Sequence, residues 1–311
     1  MKFFITGGLG FIGSNFIFKL IEKDPSAKII NLDAQFTGSN KKNLLKLKHY
    51  KNYEFVKGNI NNQKIIDKLV SKCDVVFNFA AESHVDRSIS GPKPFIQSNI
   101  MGLYTILESI RKYPTKLIQI STDEVFGSLR KGSAIEIDPL NPSNPYAASK
   151  AAAEMLVKSY VNTYDSDIVI TRCTNNYGPR QFEEKLIPKV IFLALKNKKI
   201  PIYGTGKNIR DWIFVDDHTE GIFKAFQKGK KGHSYNFSGS NEVDNIFIVK
   251  KILSKLKKSH SLIKYTTDRL GHDFRYSLNS NKSKKDLNWK PIMNFDKGLD
   301  LTIDWYKNKL D

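Results

Sequence analysis

Two short stretches of this chain bring together side chains that move protons. In Ser121-Thr-Asp-Glu-Val-Phe-Gly127, the residues Thr122, Asp123 and Glu124 close an apolar run, Lys116-Leu-Ile-Gln-Ile120, that reads as a strand. Further on, Tyr146 and Lys150 stand i and i+4 in the alanine-rich Pro145-Tyr-Ala-Ala-Ser-Lys-Ala-Ala-Ala-Glu154, with Pro145 in the first turn of an expected helix. That spacing puts both on one helix face. A neighbouring ammonium favours the phenolate and lowers a pKa that is otherwise about 10. Tyr146 is therefore expected to take a proton from a substrate hydroxyl. Asp123 and Glu124 add an acid and a base beside it. Each feature alone has an ordinary reading, as an exposed helix face or a solvated turn. Their joint occurrence downstream of a cofactor motif points to chemistry.

That motif opens the chain. Lys2-Phe-Phe-Ile-Thr6 reads as a strand, Gly7-Gly-Leu-Gly10-Phe-Ile-Gly13 as a turn and Ser14 to Lys23 as a helix. Gly7 suits a tight turn, Gly10 a close approach of backbone N–H groups to a pyrophosphate, and Gly13 close helix packing. The helix N-terminus adds partial positive charge at the same place. A second strand, Lys28 to Leu32, ends in Asp33, about 20 residues past the last glycine, where a carboxylate can hold ribose hydroxyls. It repels a 2′-phosphate, which favours NAD over NADP. Strand-like runs at 53–56, 75–79, 117–120 and 167–171 alternate with helical segments at 63–70 and 95–113. Alternation of this kind predicts a parallel, doubly wound sheet with its ligands at the carboxyl ends of the strands. Gly7, Asp33, Ala80 and Thr122 all fall at that edge. After residue 174 segments shorten and polar residues cluster, which predicts a smaller substrate-gripping part. Asp211 to Asp216 and Ser234 to Phe237 are read as a return to the main sheet.

Composition sets bounds without choosing a function. With 311 residues, 40% of them hydrophobic, the chain can bury one large core or two modest ones. No apolar run reaches the roughly 18 residues of a membrane span. The glycine-spaced start lacks a small-residue cleavage site, so a cytoplasmic protein is expected. Cys73 and Cys173 are too few for a disulfide framework or a cysteine-rich metal site, and no metal is expected. The net charge of +19 is spread over lysines on solvated helix faces, without a nucleic-acid motif, so an anionic small substrate is preferred as partner over nucleic acid. His84, in a polar loop, is read as structural rather than catalytic.

Assembled, these residues resemble the extended short-chain dehydrogenase/reductase superfamily. Within it they are most similar to the nucleoside-diphosphate-glucose 4,6-dehydratases, the dTDP-glucose enzymes in particular. The resemblance runs from the Gly7 loop to about Trp289. It is carried by AAESHVDRSI (80–89), STDEVFG (121–127), NPYAASK (144–150), RCTNNYGPRQF (172–182), EKLIP (184–188), PIYGTGKNIRDW (201–212) and DRLGHDFRY (268–276). The Asp-Glu pair after the Thr is its specific signal for dehydration. Epimerases and decarboxylases of UDP-sugars usually lack that pair, and they are the nearest enzyme alternatives. An inactive NAD-binding interaction module is the alternative from another class.

The resemblance implies an α/β, Rossmann-type doubly wound parallel sheet with a smaller, partly discontinuous C-terminal substrate-binding domain. Its boundaries would be 1–174, rejoined by about 211–235, and 175–311. It implies that Tyr146, with Lys150 and Thr122, deprotonates the glucose 4-hydroxyl as hydride leaves C4 for NAD. Glu124 would then abstract the C5 proton while a protonated Asp123 donates to the departing 6-hydroxyl, and the same hydride returns to C6. Cofactor contacts would come from Gly7, Gly10, Phe11, Ile12, Gly13, Asp33, Asn59, Ile60, Phe79, Ala80, Ala81, Ser98, Tyr146, Lys150 and Asn176. Substrate contacts would come from Ser83, Asn175, Lys185, Leu186, Pro201, Tyr203, Arg210, Asn236, Arg269 and His272, with Arg210 and Arg269 suited to a diphosphate. Homodimers through the helices after Phe95 and Tyr146 are implied too. The chain departs from the family at 33–40, DAQFTGSN, at Asn59 where Asp is usual, at Glu183 and Leu270 for Pro, and at Phe126 for Tyr. The first four loosen adenosine and nucleotide-sugar contacts and leave the proton-handling set intact.

Overall fold

Apolar residues at consecutive positions need burial on both faces of a strand, which only a helix-covered parallel sheet provides. The computed structural model, which describes residues 1–310, has this arrangement. Strands β1 (Lys2–Thr6), β2 (Lys28–Asp33), β3 (Tyr53–Lys57), β4 (Val75–Asn78), β5 (Lys116–Ile120) and β6 (Ile168–Cys173) are joined through helices α1 (Phe11–Lys23), α2 (Gln63–Val70), α3 (Val85–Ser90), α4 (Lys93–Phe95), α5 (Gly102–Lys112) and α6 (Pro145–Tyr164). Side chains alternate across the sheet: Phe3 and Ile5 join Phe16, Phe77 and Ile118 on one face. Phe4 joins Val76, Leu103, Leu117 and Val157 on the other. The expected single helix over 95–113 is interrupted by a wider π turn at Ile96–Met101, which carries Ser98 and Asn99.

The chain continues through β7 (Asn175–Tyr177), α7 (Leu186–Leu195), β8 (Ile200–Tyr203), β9 (Ile209–Phe214), α8 (Val215–Lys228), β10 (Ser234–Phe237), β11 (Glu242–Asp244), α9 (Asn245–Lys255), β12 (Ile263–Thr266), α10 (Asn281–Leu287) and α11 (Phe295–Leu310). The main sheet runs β10-β6-β5-β4-β1-β2-β3. Every pair in it is parallel. The order reverses between β1 and β4, and an open crevice forms at such a switch point.

One expectation needs correction. Asp211 to Phe214 does not return to the main sheet; β9 pairs with β7 and β11 in a separate three-stranded sheet. The reason is its alternation. Trp212 and Phe214 fill a second core with Tyr177, Ile248 and Leu299, while Ile213 faces the first core. The chain regains the main body at α8, which packs on α1. It enters the main sheet only at β10, beside β6. It comes back once more at α10 and Trp289, whose ring packs against Phe237. Asp311, the last residue of the expected second part, lies outside the described residues. No helix of the described residues is long and apolar enough to cross a membrane.

Candidate active site

The glycine turn is built as a cradle. Gly7 has φ +69°, and a Cβ there would lie 2.7 Å from the Ala80 nitrogen. A Cβ on Gly13 would lie 2.5 Å from the Gly7 carbonyl oxygen. Gly10 is the N-cap of α1 with no side chain capping it, which leaves first-turn N–H groups for a ligand. The helix begins at Phe11, earlier than the expected Ser14, because these backbone contacts already wind the turn. Gly8 is equally constrained, though spacing does not single it out: its N–H donates to Asn31 Oδ1 at 3.1 Å, an atom a Gly8 Cβ would overlap. Asp33 is buried and accepts from Leu9 N at 3.0 Å, Gln35 N at 2.7 Å and Ser39 Oγ at 2.8 Å, which aligns its carboxylate at the crevice wall. Gly7, Gly10, Phe11, Ile12, Gly13, Asp33, Asn59 and Ile60 line one end of a cleft of about 310 Å³. Phe79, Ala80, Ala81, Ser98 and Asn176 continue it toward Thr122, Asp123, Glu124, Tyr146 and Lys150. Asn59 Oδ1 already accepts from Asn61 N at 2.9 Å. The Asn176 amide is held by the Thr174 carbonyl and by His218 Nδ1.

At the far end the proton-handling groups meet. Thr122 accepts from Glu124 N at 3.3 Å, which caps the helical turn Asp123–Phe126, and donates to Asp123 Oδ1 at 3.0 Å. Asp123 Oδ2 is buried with no partner. Burial first, and the Glu124 carboxylate second, push Asp123 well above the usual carboxylate range. The Asp123 carboxyl therefore keeps its proton to a higher pH than an exposed aspartate does. Lys150 Nζ donates to the Ile120 carbonyl at 2.6 Å. The same carbonyl ends a buried chain of hydrogen bonds, Thr6 to Asn78 to Gln119, that crosses β1, β4 and β5. Burial draws Lys150 down to about 8, against the pull of Glu154.

The expected lowering of Tyr146 is not seen. Burial, and then the Glu124 carboxylate, raise the phenol well above its ordinary value, and the Thr122 hydroxyl only partly opposes them. Burial outweighs the shared helix face, and the Lys150 ammonium points to the Ile120 carbonyl.

The sequence profile of a family described as GDP-mannose 4,6 dehydratase matches residues 4–302. This chain belongs to the nucleotide-sugar 4,6-dehydratase family. A dTDP-glucose 4,6-dehydratase of Xanthomonas campestris is 42% identical, with 97% of this chain and 92% of the relative covered. Among solved structures, the dTDP-glucose 4,6-dehydratase DesIV of Streptomyces venezuelae, with NAD and TYD bound, superposes with a TM-score of 0.97 at 38% identity over 99% of this chain and 97% of its own. The dTDP-glucose 4,6-dehydratase of Bacillus anthracis in complex with NAD gives 0.93 at 43% identity, covering 99% and 97%.

On this 4,6-dehydratase scaffold the expected substrate residues fall into three groups. Ser83, Asn175 and Lys185 line the cleft beside the proton-handling set, with Lys185 Nζ donating to the Ser83 carbonyl at 2.7 Å. Tyr203, Arg269 and His272 gather outside the cleft lining, around Asp86 of α3. Tyr203 Oη donates to Asp86 Oδ2 at 3.1 Å, Arg269 Nη1 to Oδ1 at 3.3 Å, and the His272 ring lies 6.4 Å from that of Tyr203. Leu186, Pro201 and Asn236 lie elsewhere, and Arg210 stands outside the lining but close enough for its charge to act on Asp123 and Glu124. Leu186 packs on the second core, and Pro201 sits in β8 beside Lys264. Arg210 is buried with its guanidinium spent on the carbonyls of Ile209, Asp273 and Phe274. Asn236 is fully buried in β10, where it holds the Ala134 carbonyl and the Glu136 carboxylate. His84 pairs with Glu184 at 3.2 Å, and burial keeps it neutral at ordinary pH. Asp86 escapes sequence reading because its partners lie 117 and 183 residues away.

Proposed function

We propose that this chain converts dTDP-glucose to dTDP-4-keto-6-deoxyglucose, with UDP-glucose as the next substrate in preference. The observation that carries this reading is the pair Asp123–Glu124, one carboxyl pushed toward its neutral form by burial and its neighbour half-exposed in the cleft beside Tyr146. A 4-epimerase or decarboxylase has no use for a neutral acid there. Residues 1–174 would hold the cofactor, and most of 175–311 would close on the sugar nucleotide.

The glycine cradle, the uncapped α1 N-terminus and the Asp33 carboxylate fit a dinucleotide, and Asn59 and Ser98 would complete its site. When bound, NAD would supply a hydride acceptor for C4 and a hydride donor for C6, and its positive ring would favour the Tyr146 phenolate. Tyr146 takes the proton of the 4-hydroxyl, with Thr122 beside it and Lys150 adding charge below about pH 8. The 4-ketone acidifies C5, and Glu124 takes that proton. Asp123, its Oδ2 facing no protein partner, gives its proton to the 6-hydroxyl, which leaves as water. Lys185, Arg269, His272 and Tyr203 would grip the sugar and diphosphate. Exposed Met101 and Tyr104 at the start of α5 and Met155 on α6 offer apolar surface for a homodimer. Both cysteines are free, which suits a reducing cytoplasm.

Purified protein incubated separately with dTDP-glucose and UDP-glucose should give a product lighter by one water, faster from dTDP-glucose. Glu124→Gln should keep C4 oxidation, seen as NADH absorbance, and lose exchange of the C5 proton. Unchanged turnover of that variant would remove Glu124 from its role.

A further inference from the structure

Glu124 ends its half-reaction holding a proton, and that proton has to go somewhere. Beside Glu124 stands a pair that the dehydration steps do not use. Tyr276 Oη lies 3.4 Å from Glu124 Oε2 and donates to Asp273 Oδ2 at 2.5 Å. Both residues are buried. The Arg210 guanidinium lies 4.4 Å over the Tyr276 ring, and its bonds to the Asp273 and Phe274 carbonyls fix the loop they belong to. Asp273 Oδ1 accepts from the exposed Ser143 Oγ at 2.5 Å. Beyond Asp273 opens a second crevice, separate from the cleft, lined by Ser128, Arg130, Ser143 and Gly271 to Phe274. The exposed rim residues Ser128, Arg130, Ser143 and Phe274 put that crevice at the surface.

We propose that Tyr276 and Asp273 form a proton path that connects Glu124 to solvent in this second crevice, so that Glu124 can exchange its proton while the sugar occupies the cleft. The path rests on the dehydratase reading above. A phenol has one hydrogen and two acceptor positions, so Tyr276 can accept from Glu124 while donating to Asp273. When Glu124 has taken the C5 proton, its O–H bond breaks toward Tyr276 Oη. The Tyr276 hydrogen passes to Asp273 Oδ2, and Asp273 releases a proton to crevice water. No group is oxidised or reduced, and Tyr276 ends as the neutral phenol it began as. Glu124 regains the carboxylate form, and the reverse passage supplies the proton that C5 takes when hydride reaches C6. A contact of 3.4 Å in the free protein needs to shorten by only a few tenths of an ångström for transfer.

The test is turnover of dTDP-glucose in D2O with mass and NMR analysis of the product. The unmodified protein should place deuterium at C5. Tyr276→Phe keeps the ring beneath Arg210 and breaks the path. Its product should retain the original C5 hydrogen, with deuterium there reduced by about tenfold or more and the rate of C4 oxidation unchanged. Asp273→Asn, which can still accept from Ser143, should do the same and serves if the Phe variant fails to fold. Equal C5 deuterium in both folded variants and the unmodified protein would overturn the path, as would a C5 hydrogen retained by the unmodified protein. Absence of any dehydrated product from the unmodified protein would instead sink the dehydratase reading.

Discussion

At the scale of single residues, Asp123 shows how the site trades stability for reactivity. Its carboxyl holds a proton more tightly folded than unfolded, where the ordinary value is 3.8. Below that value both states carry the proton and nothing is lost. As pH rises toward the folded value, the unfolded chain alone ionises, and stability falls. Asp123→Asn removes this term while nearly preserving shape. Its melting temperature should exceed that of the unmodified protein, by a margin that widens as pH rises above 3.8. The same substitution leaves no proton for the 6-hydroxyl, so dehydration should slow by about a hundred- to ten-thousand-fold while C4 oxidation persists. Parallel melts that keep a constant gap across pH would contradict the neutral assignment. Tyr146 carries the complementary lesson: burial and a nearby carboxylate can outweigh a cation one helical turn away.

At the scale of elements, α6 must hold Tyr146 and Lys150 against the end of β5, and a buried ion pair clamps it. Arg172 of β6 donates to Glu154 of α6 at 2.9 and 2.6 Å, with both side chains fully buried and the guanidinium 4.8 Å over the Phe126 ring. Glu154→Gln leaves that guanidinium buried without its counter-charge. Destabilisation of about 3–5 kcal/mol is expected, measured by chemical denaturation, and Glu154→Leu with Arg172→Met should recover most of it. Neither partner is legible in the sequence as half of a pair, since 18 residues separate them. What is legible is local. Strand β1, the glycine turn and the Asp33 carboxylate follow from periodicity and spacing, as do β5 and the start of α6, whose Asn144 cap bonds the Ala147 amide at 2.9 Å. The rest depends on contacts made across the fold. Asp86 gathers Tyr203 and Arg269, Asp273 meets Tyr276 and Ser143, and β9 divides its side chains between two cores. Burial has the same origin, which is why the direction of the Tyr146 shift could not be read from its neighbour in sequence.

At the scale of the whole molecule, the net charge of +19 is carried by lysines that lie mostly at the surface. A nucleotide sugar carries a diphosphate, so this field should draw it in from beyond contact range. Screening acts over about 10 Å at 0.1 M salt. It weakens the pull of distant lysines far more than that of Lys185, which is bonded within the cleft. Encounter should therefore be salt-sensitive and the chemical steps should not. Raising ionic strength from about 0.05 to about 0.5 M should lower kcat/KM severalfold and leave kcat nearly constant. Steady-state kinetics with dTDP-glucose at each salt concentration would show this. A parallel loss of kcat would mean that salt loosens the clamp on α6 or displaces the cofactor, because screening of encounter leaves the bound complex untouched. Constancy of both parameters would confine the attraction to the few cations at the cleft and leave the general charge without a part in catalysis.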